Sequence, residues 1–304
     1  MPYLFAHFKE KITPDGEAVY FGKSRDGFNW EKVNNGNPVL MSSLGEKGCR
    51  DIEIIRLHTG GFAIITTDLC VANRYDENLN LDWKNINSHG SKSLCIWKTP
   101  DLVNFSEQKL QNFGRDDFGC MWAPETFYDE INDEYLIHWG STVAEDDYKH
   151  MSIYCSVTKD FETFSTPKLF FTKDNEILDT HIRKIDGVYH MFYKNAHNPS
   201  MNMHATSDNL YGPYTHDKSF EEYMEQFPQH QIYTFMLKGE HYLHDIHEKP
   251  NGPFSLVFGN EATGLPDRFL DYGESVLIKH SGEIDSLNLS IAFGVAAHTF
   301  SQYE

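Results

Sequence analysis

The sequence predicts a mainly β protein, in which an incomplete β-propeller is followed by a small α/β segment. Four stretches within the first 214 residues share one design of strand, Asp turn and aromatic residue. Three hairpin-like stretches lie between them, and the pattern ends after residue 214. Four-stranded units repeated along a chain are typical of a propeller.

The first kind of stretch is an apolar run, a polar turn containing Asp, and then an aromatic residue. An Asp suits such a turn because its side chain can bond the backbone two residues further on. Here the turn aspartates lie at positions 26, 101, 160 and 208. The four stretches are VYFGKSRDGFNW (19–30), SLCIWKTPDLVNF (93–105), SIYCSVTKDFETF (152–164) and MHATSDNLYGPY (203–214).

The second kind of stretch is a hairpin, in which alternating apolar and polar residues flank the tight turns TGG, INDE and IDG. The three hairpins are IEIIRLHTGGFAIITTDL (52–69), ETFYDEINDEYLIHWGS (125–141) and THIRKIDGVYHMFYKN (180–195). One hairpin and one Asp-turn stretch together make about four strands, as in a propeller blade. We therefore expect three recognisable blades and a partial one from the N-terminus, and no closed ring of five.

Composition and charge exclude several classes of protein. The formal net charge of -19 disfavours a large nucleic-acid footprint, because phosphate binding depends on Lys and Arg. The five cysteines are widely spaced and form no Cys-x-x-Cys pair, so we expect small buried side chains rather than disulfides or a metal site. No apolar run reaches the ~20 residues of a membrane span. The start, MPYLFAHFKEKITPDGE, does not read as a signal peptide, so we expect a cytoplasmic protein.

The last part of the chain has a different sequence pattern from the first 214 residues. FEEYMEQFPQHQIYTFML reads as a short helix, a Pro break and an apolar strand over 231–237. LVFGNEATGLP (256–266) reads as a strand, a Gly-rich turn and a helix start, and ESVLIKH as a short strand. IDSLNLSIAFGVAAHTF (284–300) reads as a helix with Asp285 or Ser286 as its N-cap. The sequence thus predicts two domains, an incomplete propeller over 1–220 and an α/β segment over 221–304.

The first domain resembles glycoside hydrolase family 43 over roughly residues 3–222. The stretches that carry the resemblance are GCRDIEIIR, GCMWAPETFYD and ILDTHIRKIDGVYHMFYK. The resemblance implies a five-bladed propeller that acts on arabinose- and xylose-containing oligosaccharides. By motif position Asp51 is the catalytic base, and Glu125 holds the place of the carboxylate that tunes the acid and orients the substrate. Asp179 begins the third of these blade-like stretches on the channel side, where no Glu matches the family's general acid.

Each of these assignments has a structural alternative. Asp51, Glu125 and Asp179 could be exposed carboxylates at the edges of strands. Trp122 and Trp139 could stack on sugar rings or could pack between blades.

The second domain resembles the SpoU family over roughly residues 221–304, because GNEATGLP is followed about 22 residues later by SLNLSIA. That family comprises trefoil-knot RNA 2′-O-methyltransferases that use S-adenosyl-L-methionine (AdoMet). The resemblance implies tRNA or rRNA as a partner, which the net charge disfavours, and a homodimer through the C-terminal segment. The resemblance places cofactor contacts at Leu237, Gly259, Ile278, Ser286 and Leu287, with Glu261 and Asn288 orienting the loops and the ribose. Leu237, Ile278 and Leu287 could instead be core residues.

Both resemblances are to partial modules, and three hypotheses remain. Nothing in residues 1–230 matches the strand and helix, with an Asn-x-Gly…Arg motif, that supply the SpoU family's activating Arg. The protein could be a glycoside hydrolase whose missing blades are replaced or supplied by a partner. It could also be an AdoMet-binding, RNA-modifying protein with a foreign N-terminal domain, or the product of a gene rearrangement with neither activity.

Overall fold

A computed structural model of the chain describes residues 3–13, 15–27, 29–174, 176–195, 201–216, 220–248, 250–259, 264–279 and 289–301. The chain divides into two compact units. Unit 1 is Met1–Asp217 and unit 2 is Lys218–Glu304.

The described residues of unit 1 form four antiparallel sheets in a propeller arrangement. In each sheet the strands pair in chain order. Blade 1 contains β1 (Tyr3–His7), β2 (Tyr20–Ser24) and β3 (Trp30–Lys32), and blade 2 contains β4 (Arg50–Arg56), β5 (Phe62–Thr67), β6 (Ser93–Thr99) and β7 (Lys109–Asn112). Blade 3 contains β8 (Trp122–Asp129), β9 (Glu134–Ser141), β10 (Ser152–Thr158) and β11 (Lys168–Phe171), and blade 4 contains β12 (Ile177–Ile185), β13 (Val188–Asn195), β14 (Met201–Ser207) and β15 (Thr215–His216). Three complete blades and one partial blade confirm the architecture predicted from the sequence.

In blades 2 and 3 the Asp turns close the second half of the blade as expected. Oδ1 of Asp101 accepts the backbone N–H groups of Val103 and Asn104 at 2.9 and 2.8 Å. Oδ1 of Asp160 makes the equivalent pair of bonds at 2.8 and 2.9 Å. These backbone hydrogen bonds lower the pKa of both carboxyl groups. A charged Asp therefore fixes the loop between the third and fourth strands of blades 2 and 3.

The hydrophobic core lies between neighbouring blades. Blades 1 and 2 share a cluster that includes Val19, Phe21, Ile64 and Trp97. A second cluster joins blades 2 and 3, and a third joins blades 3 and 4. All five cysteines are free and buried, as the sequence predicts.

The structure adds a helix to unit 1 and decides the role of Trp139. The segment between β5 and β6 forms the short helix α1 (Trp83–Ser88), whose first turn is capped by Asp82 accepting the Asn85 N–H. Trp139 is fully buried in the cluster between blades 2 and 3, where it packs on Phe113 and Phe118. Of the two roles considered for Trp139, packing between blades is therefore the one it has.

Unit 2 is built on a parallel sheet of four strands. Its elements are α2 (Phe220–Gln226), β16 (Gln231–Phe235), β17 (His241–Tyr242), β18 (Phe254–Phe258), β19 (Glu274–Leu277) and α3 (Leu289–Ser301). The strand order is β17-β19-β16-β18, and every pairing is parallel. The helix expected after Leu265-Pro266 is a single 3-10 turn over Asp267–Asp271. Ala296 and Phe300 of α3 pack on Tyr233 and Val276 of the sheet, which makes this segment a small α/β layer.

Burial of Trp139 gives a test of the core. We expect Trp139→Ala to lower the free energy of unfolding of unit 1 by about 3–5 kcal/mol, because it leaves a large cavity between two blades. Tryptophan fluorescence during urea unfolding is the measurement, since all five tryptophans lie in unit 1. Trp30→Ala is the control, because Trp30 is 46% exposed and should cost about 1 kcal/mol or less. Equal losses in the two variants would contradict the packing role of Trp139.

Candidate active site

The first strands of the complete blades each carry a bulge near their start. The first strands β4, β8 and β12 pack side by side, in that order. The register of β4, β8 and β12 shifts between Arg50 and Glu53, Trp122 and Glu125, and Leu178 and His181, respectively. Within each bulge one residue other than Gly has a positive φ, namely Asp51 (49°), Ala123 (49°) and Asp179 (55°). Bulges are frequent next to functional sites because they redirect side chains.

The bulges bring the three predicted carboxylates together at two levels. Asp51 and Asp179 occupy the left-handed position of their bulges, while Glu125 lies two residues beyond that position. Position for position, the counterparts of Glu125 are therefore Glu53 and His181. These side chains form two levels along the strands. We call Asp51 and Asp179, at the bulge residues, the outer level. We call Glu53, Glu125 and His181, two residues further along each strand, the inner level.

Asp51 is fixed by a hydrogen-bond chain that crosses between blades. Oγ1 of Thr67 on β5 donates to Oδ2 of Asp51 at 2.7 Å. The same hydroxyl accepts the backbone N–H of Ala123 at 2.9 Å. Because Thr67 is fully buried, one hydroxyl holds the bulges of blades 2 and 3 in a fixed relation.

Asp179 lies close enough to Asp51 to feel its charge. Burial raises the pKa of the Asp179 carboxyl, and the negative charge of Asp51 raises it further. Lys194 on β13 opposes this rise, with its Nζ 3.8 Å from Oδ2 of Asp179. Asp179 therefore keeps its proton to a higher pH than an ordinary Asp.

Glu125 is paired with a histidine of the next blade. Nδ1 of His181 donates to Oε2 of Glu125 at 3.0 Å. This hydrogen bond raises the pKa of the His181 imidazole, so the pair holds a proton beside the channel at higher pH than a free histidine.

Glu53 is a site residue that the sequence reasoning missed. Its Oε1 accepts the hydroxyl of Thr126 at 2.8 Å. Burial raises the pKa of Glu53 to about 7, and the charge of Glu125 adds to the rise. The available signal was the shared spacing in R-D-I-E, W-A-P-E and L-D-T-H, which places Glu53, Glu125 and His181 in register.

Behind this inner level lies a second histidine, which is completely buried. Nδ1 of His138 is 2.8 Å from Oγ1 of Thr180, and its Nε2 has no hydrogen-bond partner among the described residues. Burial lowers the pKa of His138 to about 3, and His181 contributes to the same direction. His138 is therefore neutral at physiological pH and packs as an uncharged ring against Phe170.

A cavity of about 730 Å³ begins at the inner level and extends along β4, β8 and β12 towards their hairpin turns. We call it the turn-side cavity. Its charged or titratable lining groups are Glu53, Arg56, His58, Tyr128, Glu130, His181, Arg183 and Lys184. Within the described ranges, no group of three or more His, Cys, Asp or Glu is arranged to hold a metal ion.

In unit 2, three of the predicted cofactor residues lie at one edge of the sheet. Leu237, Gly259 and Ile278 follow the carboxyl ends of β16, β18 and β19, which are neighbours in the sheet. Leu237 is 61% exposed and Ile278 is half-buried, so Leu237 is not a core residue. A Cβ on Gly259 would lie 2.0 Å from the backbone of Gly264, so no side chain fits there. The other four predicted positions, Glu261, Ser286, Leu287 and Asn288, are outside the described residues.

Comparison with known proteins assigns unit 1 to a family. Residues 1–242 match the family model described as "Probable glycosyl hydrolase domain", which is related to glycoside hydrolase family 43. The chain belongs to this family. The predicted resemblance is confirmed by this match, which covers most of the chain.

Individual relatives support the same fold. The chain is 25% identical over 207 residues to an α-L-arabinofuranosidase of Bifidobacterium longum, covering 61% of this chain and 19% of the relative. An endo-arabinase structure from Bacteroides thetaiotaomicron superimposes with a TM-score of 0.53 at 14% identity. That superposition covers 72% of this chain and 75% of the endo-arabinase, and it shows likeness of fold.

The C-terminal segment has a separate relative. It is 35% identical over 83 residues to a putative tRNA (cytidine(34)-2′-O)-methyltransferase of Listeria innocua. The match covers 26% of this chain and 49% of the relative. The chain therefore joins a family-43-like propeller to a segment similar to half of an RNA methyltransferase. No helix in the described part of the chain is long and apolar enough to cross a membrane.

The buried histidine makes the stability of unit 1 depend on pH. The folded-state pKa of His138, about 3, is below the ordinary value of 6.5, so the unfolded state binds more protons between these two values. Stability is therefore lost as pH falls below 6.5, by up to about 1.4 kcal/mol per pH unit. We expect His138→Asn to flatten this part of the profile in urea unfolding followed by tryptophan fluorescence.

The exposed His150, replaced by Asn, is the matched control and should leave the slope unchanged. If His138→Asn and wild type lost stability in parallel from pH 6.5 to 4.5, His138 would not be the titrating group.

Proposed function

We propose that unit 1 is a glycoside hydrolase that cleaves arabinose- or xylose-type glycosidic bonds by inversion. The observation that carries the proposal is the convergence of Asp51, Glu125 and Asp179 at the starts of three adjacent inner strands. Membership of the glycosyl hydrolase family supports the reaction class. The α-L-arabinofuranosidase and endo-arabinase among its relatives support the substrate class.

In this proposal Asp51 is the general base and Asp179 the general acid. Asp51 takes a proton from a water molecule, whose oxygen attacks the anomeric carbon of the sugar. As the glycosidic C–O bond breaks, the proton of the Asp179 carboxyl passes to the leaving oxygen. The raised pKa of Asp179 keeps that proton on the carboxyl group to a higher pH than in an ordinary Asp.

In this proposal Glu125 orients neighbouring side chains and exchanges no proton with the substrate. Its hydrogen bond to His181 fixes both side chains, and its charge contributes to the raised pKa of Asp179. The Thr67 bridge supports the base by fixing the Asp51 carboxylate in one orientation.

Two variants separate the proposed roles. We expect Asp51→Asn to lower the hydrolysis rate of aryl arabinosides or xylosides by about 10²–10⁴-fold, since it removes the base. Asp179→Asn should lower the rate by a similar factor only on glycosides with poor leaving groups. It should leave dinitrophenyl glycosides little affected, because their leaving group needs no proton. Initial rates on both substrate types are the measurement.

The exposed Glu31, replaced by Gln, is the control variant and should retain wild-type rates. Equal rates for wild type and Asp51→Asn would remove Asp51 from the mechanism. A uniform loss in Asp179→Asn on both substrate types would remove the acid role from Asp179.

We propose that unit 2 descends from an AdoMet-dependent RNA 2′-O-methyltransferase. We also propose that this chain does not transfer methyl groups. The likeness to the Listeria protein and the grouping of Leu237, Gly259 and Ile278 at one sheet edge support the descent. Ligands of open parallel sheets bind at the carboxyl ends of the strands. The lack, in residues 1–230, of a strand and helix that carry the Asn-x-Gly…Arg motif supports the loss of chemistry.

We expect weak or no AdoMet binding by isothermal titration calorimetry. Ordering unsupported loops costs about 1–2 kcal/mol per residue. For a dozen residues this exceeds the ~8 kcal/mol of micromolar binding. The prediction would be contradicted if AdoMet bound with a micromolar dissociation constant and Gly259→Val abolished that binding. Such a result would show that the sheet edge at Leu237, Gly259 and Ile278 forms a working cofactor site.

A further inference from the structure

The turn-side cavity groups three cationic side chains in a protein that is acidic as a whole. Arg56, Arg183 and Lys184 contribute three permanent cations to its wall in a chain of formal net charge -19. Within the described ranges, none of the three lies within 4.0 Å of a carboxylate. The three cations therefore lack a carboxylate partner among the described residues, which suits an anionic ligand.

The contacts of these cations leave their charges facing water. The Arg56 guanidinium lies 4.6 Å from the ring centre of Phe62, and the Lys184 ammonium lies 5.0 Å from that of Tyr189. Arg183 is exposed and lies near enough to His181 to lower its pKa, against the larger effect of Glu125. Two guanidinium groups at one cavity favour a carboxylate, which they can bind through paired hydrogen bonds.

The remaining wall offers what a sugar ring needs. Glu53 and Glu130 can accept hydrogen bonds from ring hydroxyl groups, and Thr126 already donates to Glu53 at 2.8 Å. His58 and Tyr128 form a stacked pair with ring centres 3.6 Å apart, which gives the cavity an aromatic surface. A volume of about 730 Å³ lies within the range of small-molecule sites.

We propose that the turn-side cavity binds a uronic acid, which is a hexose with a carboxylate in place of its C6 hydroxymethyl group. Its carboxylate contacts Arg56, Arg183 and Lys184, and its hydroxyl groups contact Glu53 and Glu130. A simple anion such as phosphate would satisfy the cations but would offer no ring hydroxyl groups to Glu53 and Glu130. The site lies on the hairpin-turn side of the inner level, and it is separate from the hydrolysis proposed for Asp51 and Asp179.

Binding is tested on the full chain by calorimetric titration at low ionic strength. The probes are methyl glucuronoside and methyl glucoside, which differ only in a carboxylate against a hydroxymethyl group, and inorganic phosphate. We expect the glucuronoside to bind at least about tenfold more tightly than the glucoside, as charge-assisted hydrogen bonds require. In Arg183→Gln this ratio should fall towards one.

Arg25→Gln is the matched control, because Arg25 is also exposed but lies in blade 1. It should keep the wild-type ratio, and Glu53→Gln should weaken both sugars without abolishing the preference for the acid. Equal binding of the two sugars, or no binding of the glucuronoside at millimolar concentration, would overturn the proposal. Phosphate binding as tight as the glucuronoside and equally lost in Arg183→Gln would show a general anion site and would also overturn it. Because no step is hydrolytic, these outcomes are independent of whether unit 1 is active.

Discussion

The candidate active site depends on one constraint, the extra residue inserted at the start of each inner strand of the complete blades. A strand with regular alternation would send Asp51 and Glu53 to the same face of the sheet at a fixed spacing. The bulge breaks that alternation and uses a left-handed residue to do so, at Asp51, Ala123 and Asp179. Asp tolerates this backbone conformation better than most residues, whereas Ala does not. Of the three bulge positions, position 123 is therefore the one where the side chain compensates least for the backbone strain.

A single hydroxyl makes two of the bulges act together. Thr67 accepts from the backbone of one bulge and donates to the carboxylate of the other. Blades 2 and 3 cannot shift against each other without losing one of these bonds in a buried place, where an unmade hydrogen bond costs about 1–3 kcal/mol. The position of the proposed base is thus set by the neighbouring blade as well as by its own strand.

Much of the fold could be predicted from the sequence because its signals are local. The hairpin turns and the Asp turns are contained within about ten residues, so they located the first three strands of blades 2, 3 and 4. The strands β1, β7, β11 and β15 lie outside the stretches that these turns mark. The inner level of the site was harder to predict. Glu53 reads as an ordinary polar residue of an alternating strand, and only the bulge register aligns it with Glu125 and His181. The burial of Trp139 depends on the packing of two blades, which no local pattern reports.

The two units differ in how far along the chain their strands must reach to pair. In unit 1 every pairing within a blade joins consecutive strands, so each blade can form soon after its residues leave the ribosome. In unit 2, β16 pairs with β18 and β19, and β19 ends only at Leu277. Such non-local parallel pairing raises contact order and slows folding. Folding of unit 2 is therefore expected to be slower than folding of unit 1, and β16 has open hydrogen-bonding edges until β18 and β19 have been synthesised.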